Sequence, residues 1–320
     1  MPSEKDWHNW IGEIKLLALD TGISRETVNK ELNNLKPAKK IIMRDRCQVE
    51  STMTLNEYLY YRLDKARIFA GKKLLKTHSK ELSQIGKTFD IQPRFIVAIL
   101  GLESAYGKNQ GNIRTIEAVT TLAFDNRRSK FYKKQLIAAL KIIDDGYIES
   151  NKLLGSWGGA IGMTQMIPTT YLESGYDWDK DNYVDIWNNY GDAFASIANY
   201  LTSIDKNPWS NDVTWGREII PPKNINLIYS NLQQKNPKGC GAVKSRSIEK
   251  TLMEWNNLGF KTINNTTLPL RKDLRARLVA PDGLDGPMYL VYQNYKNILY
   301  YNCSSYYAIA IGLLSDAIKN

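Results

Sequence analysis

The sequence predicts a mainly α protein of the α+β class, helical over most of its length with a small β-containing region toward the C-terminus. Three observations predict it. Apolar residues recur at helical spacing from Trp7 to Leu201. The run Phe95–Leu100 has almost no polar face, as in a helix packed on all sides. Short β-rich runs bounded by Pro, Gly and Asp begin only after Asn207.

In order, Trp7, Trp10, Ile11, Ile14, Leu17 and Ala18 mark a first helix, and Gly22 with Ser24 a turn and cap before a second through Leu32 or Leu35. Leu55–Leu75 and Leu82–Phe89 continue the pattern, so 1–85 reads as a helical region with basic, solvated outer faces. Proline tolerates the first turn of a helix, so RFIVAILGLESAYG (Arg94–Gly107) starts just after Pro93 and stops at Tyr106 and Gly107. Helices Ile116–Phe124 and Phe131–Asp144 flank the polar break DNRRSK, and the buried helix Tyr190–Leu201 completes a central region over 86–206. Beyond it, Val213–Pro222 and Arg277–Gln293 read as strands around a helical segment Ile248–Leu258. With Asn297–Tyr301 as a last strand, 207–302 forms a small α+β region. Ser304 or Ser305 then caps a closing helix, Tyr306–Ile318, so that 303–320 packs back on the core. No internal repeat or low-complexity segment interrupts the chain.

A chain of 320 residues with 43% hydrophobic and 24% charged side chains is long enough for two or three domains, and its composition excludes disorder. Its net charge of +10 and isoelectric point near 9.2 favour polyanionic partners without choosing among nucleic acid, acidic lipid and an anionic wall polymer. Cys47, Cys240 and Cys303 are too few and too dispersed to predict a disulfide framework, and they form no zinc motif. With only His8 and His78, a histidine-dependent triad is ruled out of first consideration, and acid–base chemistry falls to carboxylates. No apolar run approaches the ~20 residues of a membrane span. The opening MPSEKDW does not read as an export signal, which leaves cytoplasmic residence and prior removal of such a signal both open.

Four stretches offer chemistry. The Phe95–Leu100 run carries one acid, Glu103, near its end. Burial and the negative end of the helix dipole both disfavour its charged form, so a raised pKa and a general-acid role are expected; the plainer reading is the first solvated residue after a core helix. Arg127 and Arg128 either face water or form a planar clamp for a substrate carboxylate. Gly155–Tyr171, GSWGGAIGMTQMIPTTY, places Ser156, Thr164 and Gln165 among Trp157, Met163 and Met166 on a backbone that glycine lets approach a ligand, which suits a groove wall or a tight packing loop. Asp177–Asn188, DWDKDNYVDIWN, has the oxygen spacing of an EF-hand loop, with Asp177, Asp179, Asp181, the Tyr183 carbonyl and Asn188 as the candidate metal set. Asn182 stands where glycine is usual, and Asn188 removes the bidentate carboxylate, so a weakly held calcium or sodium ion, or a plain acidic turn, is expected.

Read together, PRFIVAILGLESAYGKNQGN, TLAFDNRR, GSWGGAIGMTQMIPTTYL, DWDKDNYVDIWN, SIANYL and YYNCSSYYAIAI, with RDRCQVE (Arg44–Glu50) upstream, resemble the lytic transglycosylases of the MltB type (membrane-bound lytic murein transglycosylase B), which cleave bacterial peptidoglycan. The resemblance covers nearly the whole chain, with the motifs in order. It implies a lysozyme-like helical core flanked by the N-terminal helical region and the small β-containing region, with a groove for peptidoglycan glycan strands. It implies that Glu103 is the catalytic acid and base. It further implies that Ser156, Gln165, Tyr200, Tyr301 and Asn302 line the groove, that Arg127 and Arg128 meet sugar or peptide, and that no cofactor is required beyond a structural ion. The expected location is the bacterial periplasm or cell envelope, and the lipid-attachment signal of anchored members is not visible here.

The reaction the resemblance implies uses one carboxyl group where most glycosidases use two. It cleaves the bond between N-acetylmuramic acid and N-acetylglucosamine without water and leaves a 1,6-anhydro sugar. The alternatives are lysozyme-like hydrolysis, with Glu117, Asp125 or Glu173 as second acid, and a non-catalytic wall-binding protein using its 19 tyrosines and 8 tryptophans. A nucleic-acid binder is disfavoured because no recognition module accompanies the charge.

Overall fold

Helices account for most of the described chain, residues 4–46, 53–206 and 208–319 of a computed structural model. They group into two compact units, Met1–Ser51 with Leu100–Asn199 and Thr52–Ile99 with Tyr200–Asn320. Divisions at 85, 206 and 302 follow sequence texture, whereas these units follow contact. Cys47 and the part of RDRCQVE beyond Arg46 lie outside the described residues.

In the first unit, Glu4–Asp20 and Arg25–Leu32 are joined through Gly22, whose φ of 88° suits glycine, and Ser24 caps the second helix by accepting the Thr27 N–H at 3.2 Å. The Ser24 and Thr27 hydroxyls also donate to Asp144 at the end of Ser129–Asp144, and these bonds hold its carboxyl below the usual carboxylate range. Trp7 meets Phe124 edge-on at 4.9 Å, tying the first helix to Thr115–Phe124, which packs along Ser129–Asp144. Two short helices escaped the periodicity: Lys39–Arg46, and Pro168–Ser174, which begins on its proline. The unit's only described strands, Ile113–Arg114 and Leu154–Gly155, pair antiparallel.

In the second unit the expected single helix Leu55–Leu75 is two, Leu55–Arg62 and Lys65–Thr77. Leu63 leaves helical geometry and Asp64 starts the next helix by accepting the Arg67 N–H at 2.8 Å. A five-stranded antiparallel sheet runs in the order Glu249–Thr251, Arg275–Val279, Met288–Val291, Gly216–Ile220, Lys261–Thr262. Its core joins Leu278 and Leu290, directly paired across strands, to Trp255, Phe260 and Leu252. The Trp255 indole N–H donates to the Ala276 carbonyl at 3.0 Å, so a large ring is buried without an orphaned donor. The closing helix Ser305–Ile318, capped by Ser304, lays Gly312 flat on the Trp215 ring, where a Cβ would stand 2.1 Å away. Trp215 in turn donates to Asp316 at 2.9 Å.

Three expectations for this unit need correction. Asn297–Tyr301 is the end of a helix, Gln293–Tyr301, because Asn294, Tyr295, Asn297, Ile298 and Leu299 bury one helical face. The expected helix Ile248–Leu258 is strand Glu249–Thr251 followed by helix Leu252–Asn257, started by a Thr251–Glu254 capping box. Finally, Cys240 and Cys303 form a disulfide across a separation of 63 residues, with Cα atoms 6.3 Å apart.

Candidate active site

Glu103 stands in the last turn of the helix Pro93–Ser104, in which Phe95 through Leu100 are fully buried. Burying side chains of this kind contributes about 1.5–3 kcal/mol each, so the helix is a fixed mount. Glu103 itself is half-buried. The next residues turn away through three consecutive left-handed positions, Ala105 (φ 49°), Tyr106 (φ 61°) and Gly107 (φ 84°). Two of these carry a Cβ, and backbone held in this region costs on the order of 1–3 kcal/mol per residue and persists only where its surroundings impose it.

Those surroundings are visible. Ser104 Oγ donates to the Leu100 carbonyl at 3.2 Å and accepts the Gly107 N–H at 2.9 Å. The Tyr106 ring lies across Gly101, where a Cβ would come within 2.6 Å, and the Tyr190 hydroxyl donates to the Tyr106 carbonyl at 2.9 Å. Met163 packs on Gly107 with no room for a Cβ. Gln110 Nε2 donates to the carbonyls of Gly107 (3.2 Å) and Trp187 (2.9 Å), and Gln165 Nε2 to those of Gln110 (3.0 Å) and Gly162 (2.9 Å).

The glycine-rich segment is therefore the brace of the Glu103 turn. It folds as a narrow ladder in which Gly155 bridges Ile161 and Ile161 bridges Met166. Gly111 backs directly onto Gly155 and Ser156, so a Cβ there would stand 2.1 Å from the Gly155 carbonyl. Gln165 adopts φ 50°, and Ser156 Oγ accepts the Ala160 N–H at 3.1 Å. Both side chains are half-buried, and part of the bonding capacity of each goes to shaping the loop. Gln110 and Tyr190, both in the brace, were missed in the sequence because no spacing rule marks a side chain that serves a distant carbonyl.

Arg127 and Arg128 do not simply face water: the carboxylate they hold is an internal one, that of Asp45, which is 2% exposed. Arg127 Nε donates to it at 2.7 Å, Arg127 also reaches the Asp45 carbonyl at 2.9 Å, and Arg128 bonds the other carboxylate oxygen. Burial pushes the Asp45 carboxyl up, but the hydrogen bonds and charges of the two guanidinium groups outweigh it and hold the group below its ordinary value. Both arginines keep an exposed edge, 44% and 39%, beside Phe131, Lys130 and Lys134. Of the alternative second acids, Asp125 pairs with Arg46 at 2.9 Å and Glu173 is exposed.

Tyr200, Tyr301 and Asn302 belong to the second unit. The Tyr200 and Tyr301 rings meet edge-on at 5.2 Å, and the Tyr200 hydroxyl donates to the Tyr300 carbonyl at 2.7 Å, one of the carbonyls a helix end leaves open. Asn302 caps that helix and is exposed.

The acidic loop differs from the expected ligand set. Carboxylate oxygens of Asp177, Asp179 and Asp192 lie within 4.8 Å of one another, and Asp192, beyond the twelve-residue window, is 1% exposed. Asn188 instead turns its amide to Asp185, and Asp181 accepts the Tyr183 N–H at 2.8 Å. Lys180 and Asn182 take φ of 62° and 70°, the left-handed geometry anticipated for Asn182. Burial pushes the Asp192 carboxyl up to about 6 against N–H bonds from Trp178 and Asp185, and the charges of Asp179 and Asp177 push the same way. Three close carboxylates, one buried, with only oxygen donors, fit a hard cation of the calcium class.

Comparison with known proteins places this geometry. The family profile described as "Transglycosylase SLT domain" matches residues 6–316. The chain is similar to membrane-bound lytic murein transglycosylase B of Escherichia coli (strain K12), 31% identical over 121 residues; the match takes in 38% of this chain and 33%, about a third, of that protein's length. It is similar to the structure of SltB3 from Pseudomonas aeruginosa in complex with NAG-anhNAM-pentapeptide, at 36% identity and a TM-score of 0.87, covering 98% of this chain and 80% of that one. Escherichia coli lytic transglycosylase Slt35 in complex with calcium shares the fold at 21% identity and a TM-score of 0.77, covering 98% and 92%.

Proposed function

The chain belongs to the transglycosylase SLT family, and from that premise we propose that it is a lytic transglycosylase cleaving the N-acetylmuramic acid–N-acetylglucosamine bond of peptidoglycan. The observation that carries the proposal is the mounting of Glu103: a half-buried acid at the end of a fully buried helix, before a left-handed turn braced by Gln110, Gln165 and Tyr190. Such rigidity suits a group that must hold a proton at a fixed point beside a substrate. Protonated Glu103 donates to the bridging oxygen as the bond from the muramyl C1 breaks. Its carboxylate then takes the proton of the C6 hydroxyl as that oxygen bonds to C1. The acid is restored and no water enters.

SltB3 has been crystallised with both NAG-anhNAM-pentapeptide and NAG-NAM-pentapeptide, which supports strands of this class as the ligand. In this reading Ser156, Gln165, Tyr200, Tyr301 and Asn302 contact the sugars, and the exposed edges of Arg127 and Arg128 meet a sugar or peptide carboxylate. The Cys240–Cys303 disulfide supports an oxidising location, the periplasm or envelope. Among the described residues no helix is long and apolar enough to cross a membrane. Asp177, Asp179 and Asp192 would hold a calcium-class ion with a structural role, away from any chemical step; calcium titration by calorimetry tests it, and the absence of heat removes the site.

Replacing Glu103 by Gln tests the function. Loss of a positioned acid lowers kcat by at least ~10²-fold while the variant still sediments with purified sacculi. Full activity in Glu103→Gln would refute the assignment.

A further inference from the structure

The disulfide lies next to the residues assigned to the substrate wall. Tyr301 ends its helix, Asn302 caps it, Cys303 follows, and Ser304 caps the closing helix, so the cross-link sits at the centre of a three-residue turn between two helices. On the other side, Cys240 is the N-cap of Gly241–Lys244, a four-residue helix too short to persist alone. Among the described residues, the hydrogen bonds of 240–245 stay within 234–246, including those from Gln234 Nε2 to the carbonyls of Val243, Lys244 and Arg246. The segment nevertheless packs against Gln293–Tyr301. The covalent bond thus adds to that packing a direct tie between this brace and the Tyr301 turn. Cys303 is exposed, within reach of a reductant.

We propose that the Cys240–Cys303 disulfide positions Tyr301 and Asn302, so that the protein binds its glycan tightly only when the bond is formed. Tyr200 fixes the turn from one side through the Tyr300 carbonyl and ring contact with Tyr301, and the disulfide fixes it from the other. Glu103 has no part in this bond, so its loss weakens substrate holding and leaves the chemical step alone. The inference rests on the proposed assignment of Tyr301 and Asn302 to the substrate wall.

The test compares oxidised protein with protein reduced by a dithiol, which passes two electrons and two protons to the Cys240–Cys303 bond and closes into its own disulfide. Both forms are assayed on soluble NAG-NAM-pentapeptide strands well below the unfolding midpoint, and the Cys240→Ser/Cys303→Ser variant provides a reductant-free copy. Reduction is expected to raise KM about five-fold with kcat unchanged, the mark of lost uniform binding. In Tyr301→Ala, reduction should add little, because coupled residues are non-additive. An unchanged KM overturns the proposal. So does an effect that adds in full to Tyr301→Ala or falls equally on kcat, since a general staple behaves that way. If the double serine variant does not fold, reduction of prefolded wild type carries the same readout. Oxidised wild type that neither binds nor cleaves these strands sinks the functional reading itself, and with it this role; active oxidised enzyme with no redox effect sinks the role alone.

Discussion

Two helix ends carry the candidate groups, and they are held by different means. At Glu103 the backbone itself does the holding: three left-handed residues in a row, glycine contacts without room for a Cβ, and side chains closing on carbonyls. At Tyr301 the chain leaves the helix in ordinary extended geometry, Asn302 at φ −145°, and the ties that hold it include the Tyr200 phenol and a disulfide. The group proposed to transfer a proton is aimed by conformation. The surface proposed to hold sugar is aimed by bonds that can be cut singly.

The largest effect should come from disturbing the first of these ends. Gly101→Ala drives a methyl into the Tyr106 ring, and because misplacement near 1 Å costs on the order of 10²-fold, kcat should fall about that far in steady-state assays; an unaltered kcat would mean the turn does not aim Glu103. Asp45→Asn comes next, since it leaves two guanidinium groups without their anion. Hydrogen bonds to charged groups contribute about 1.5–3 kcal/mol, and chemical denaturation should report a loss of that order. The sign with pH follows from the lowered Asp45 pKa. Its stabilisation is complete well above the ordinary value of 3.8 and is lost as pH falls through 3.8 toward the folded value, so the gap between wild type and Asp45→Asn closes on acidification.

At the second end, Tyr301→Ala should raise KM about ten-fold and leave kcat within about two-fold. A fall in kcat alone would erase the contrast between the two turns. Calcium gives the smallest effect. A weakly held ion at about four times Kd stabilises by about 1 kcal/mol at most, read as a rise of a few degrees in Tm that Asp192→Asn abolishes.

Helix ends with local chemistry were legible in the sequence: Ser24 and Ser304 cap where expected, and the Glu103 helix ends at Ser104, just ahead of the Tyr106 and Gly107 expected to stop it. Errors arose where two local signals competed. NILYY reads as a strand by composition, yet its burial follows helical spacing, and the T-x-x-E box at Thr251 that splits 248–258 was outweighed by the apolar run. Glu103 stands out as a candidate because one acid in an apolar run is conspicuous. Asp192, Gln110, Tyr190 and the Cys240–Cys303 pairing were not, since each depends on a contact between distant segments. The arginine pair suggests a clamp for a substrate carboxylate, whereas the carboxylate it holds is Asp45, 82 residues upstream of Arg127.

The most direct measurement is the mass of the muropeptides released from purified sacculi by the oxidised protein. Transglycosylation through Glu103 alone gives anhydro-ended products with the summed mass of the parent strand. Products heavier by one water at each cleavage would contradict it and require a second acid.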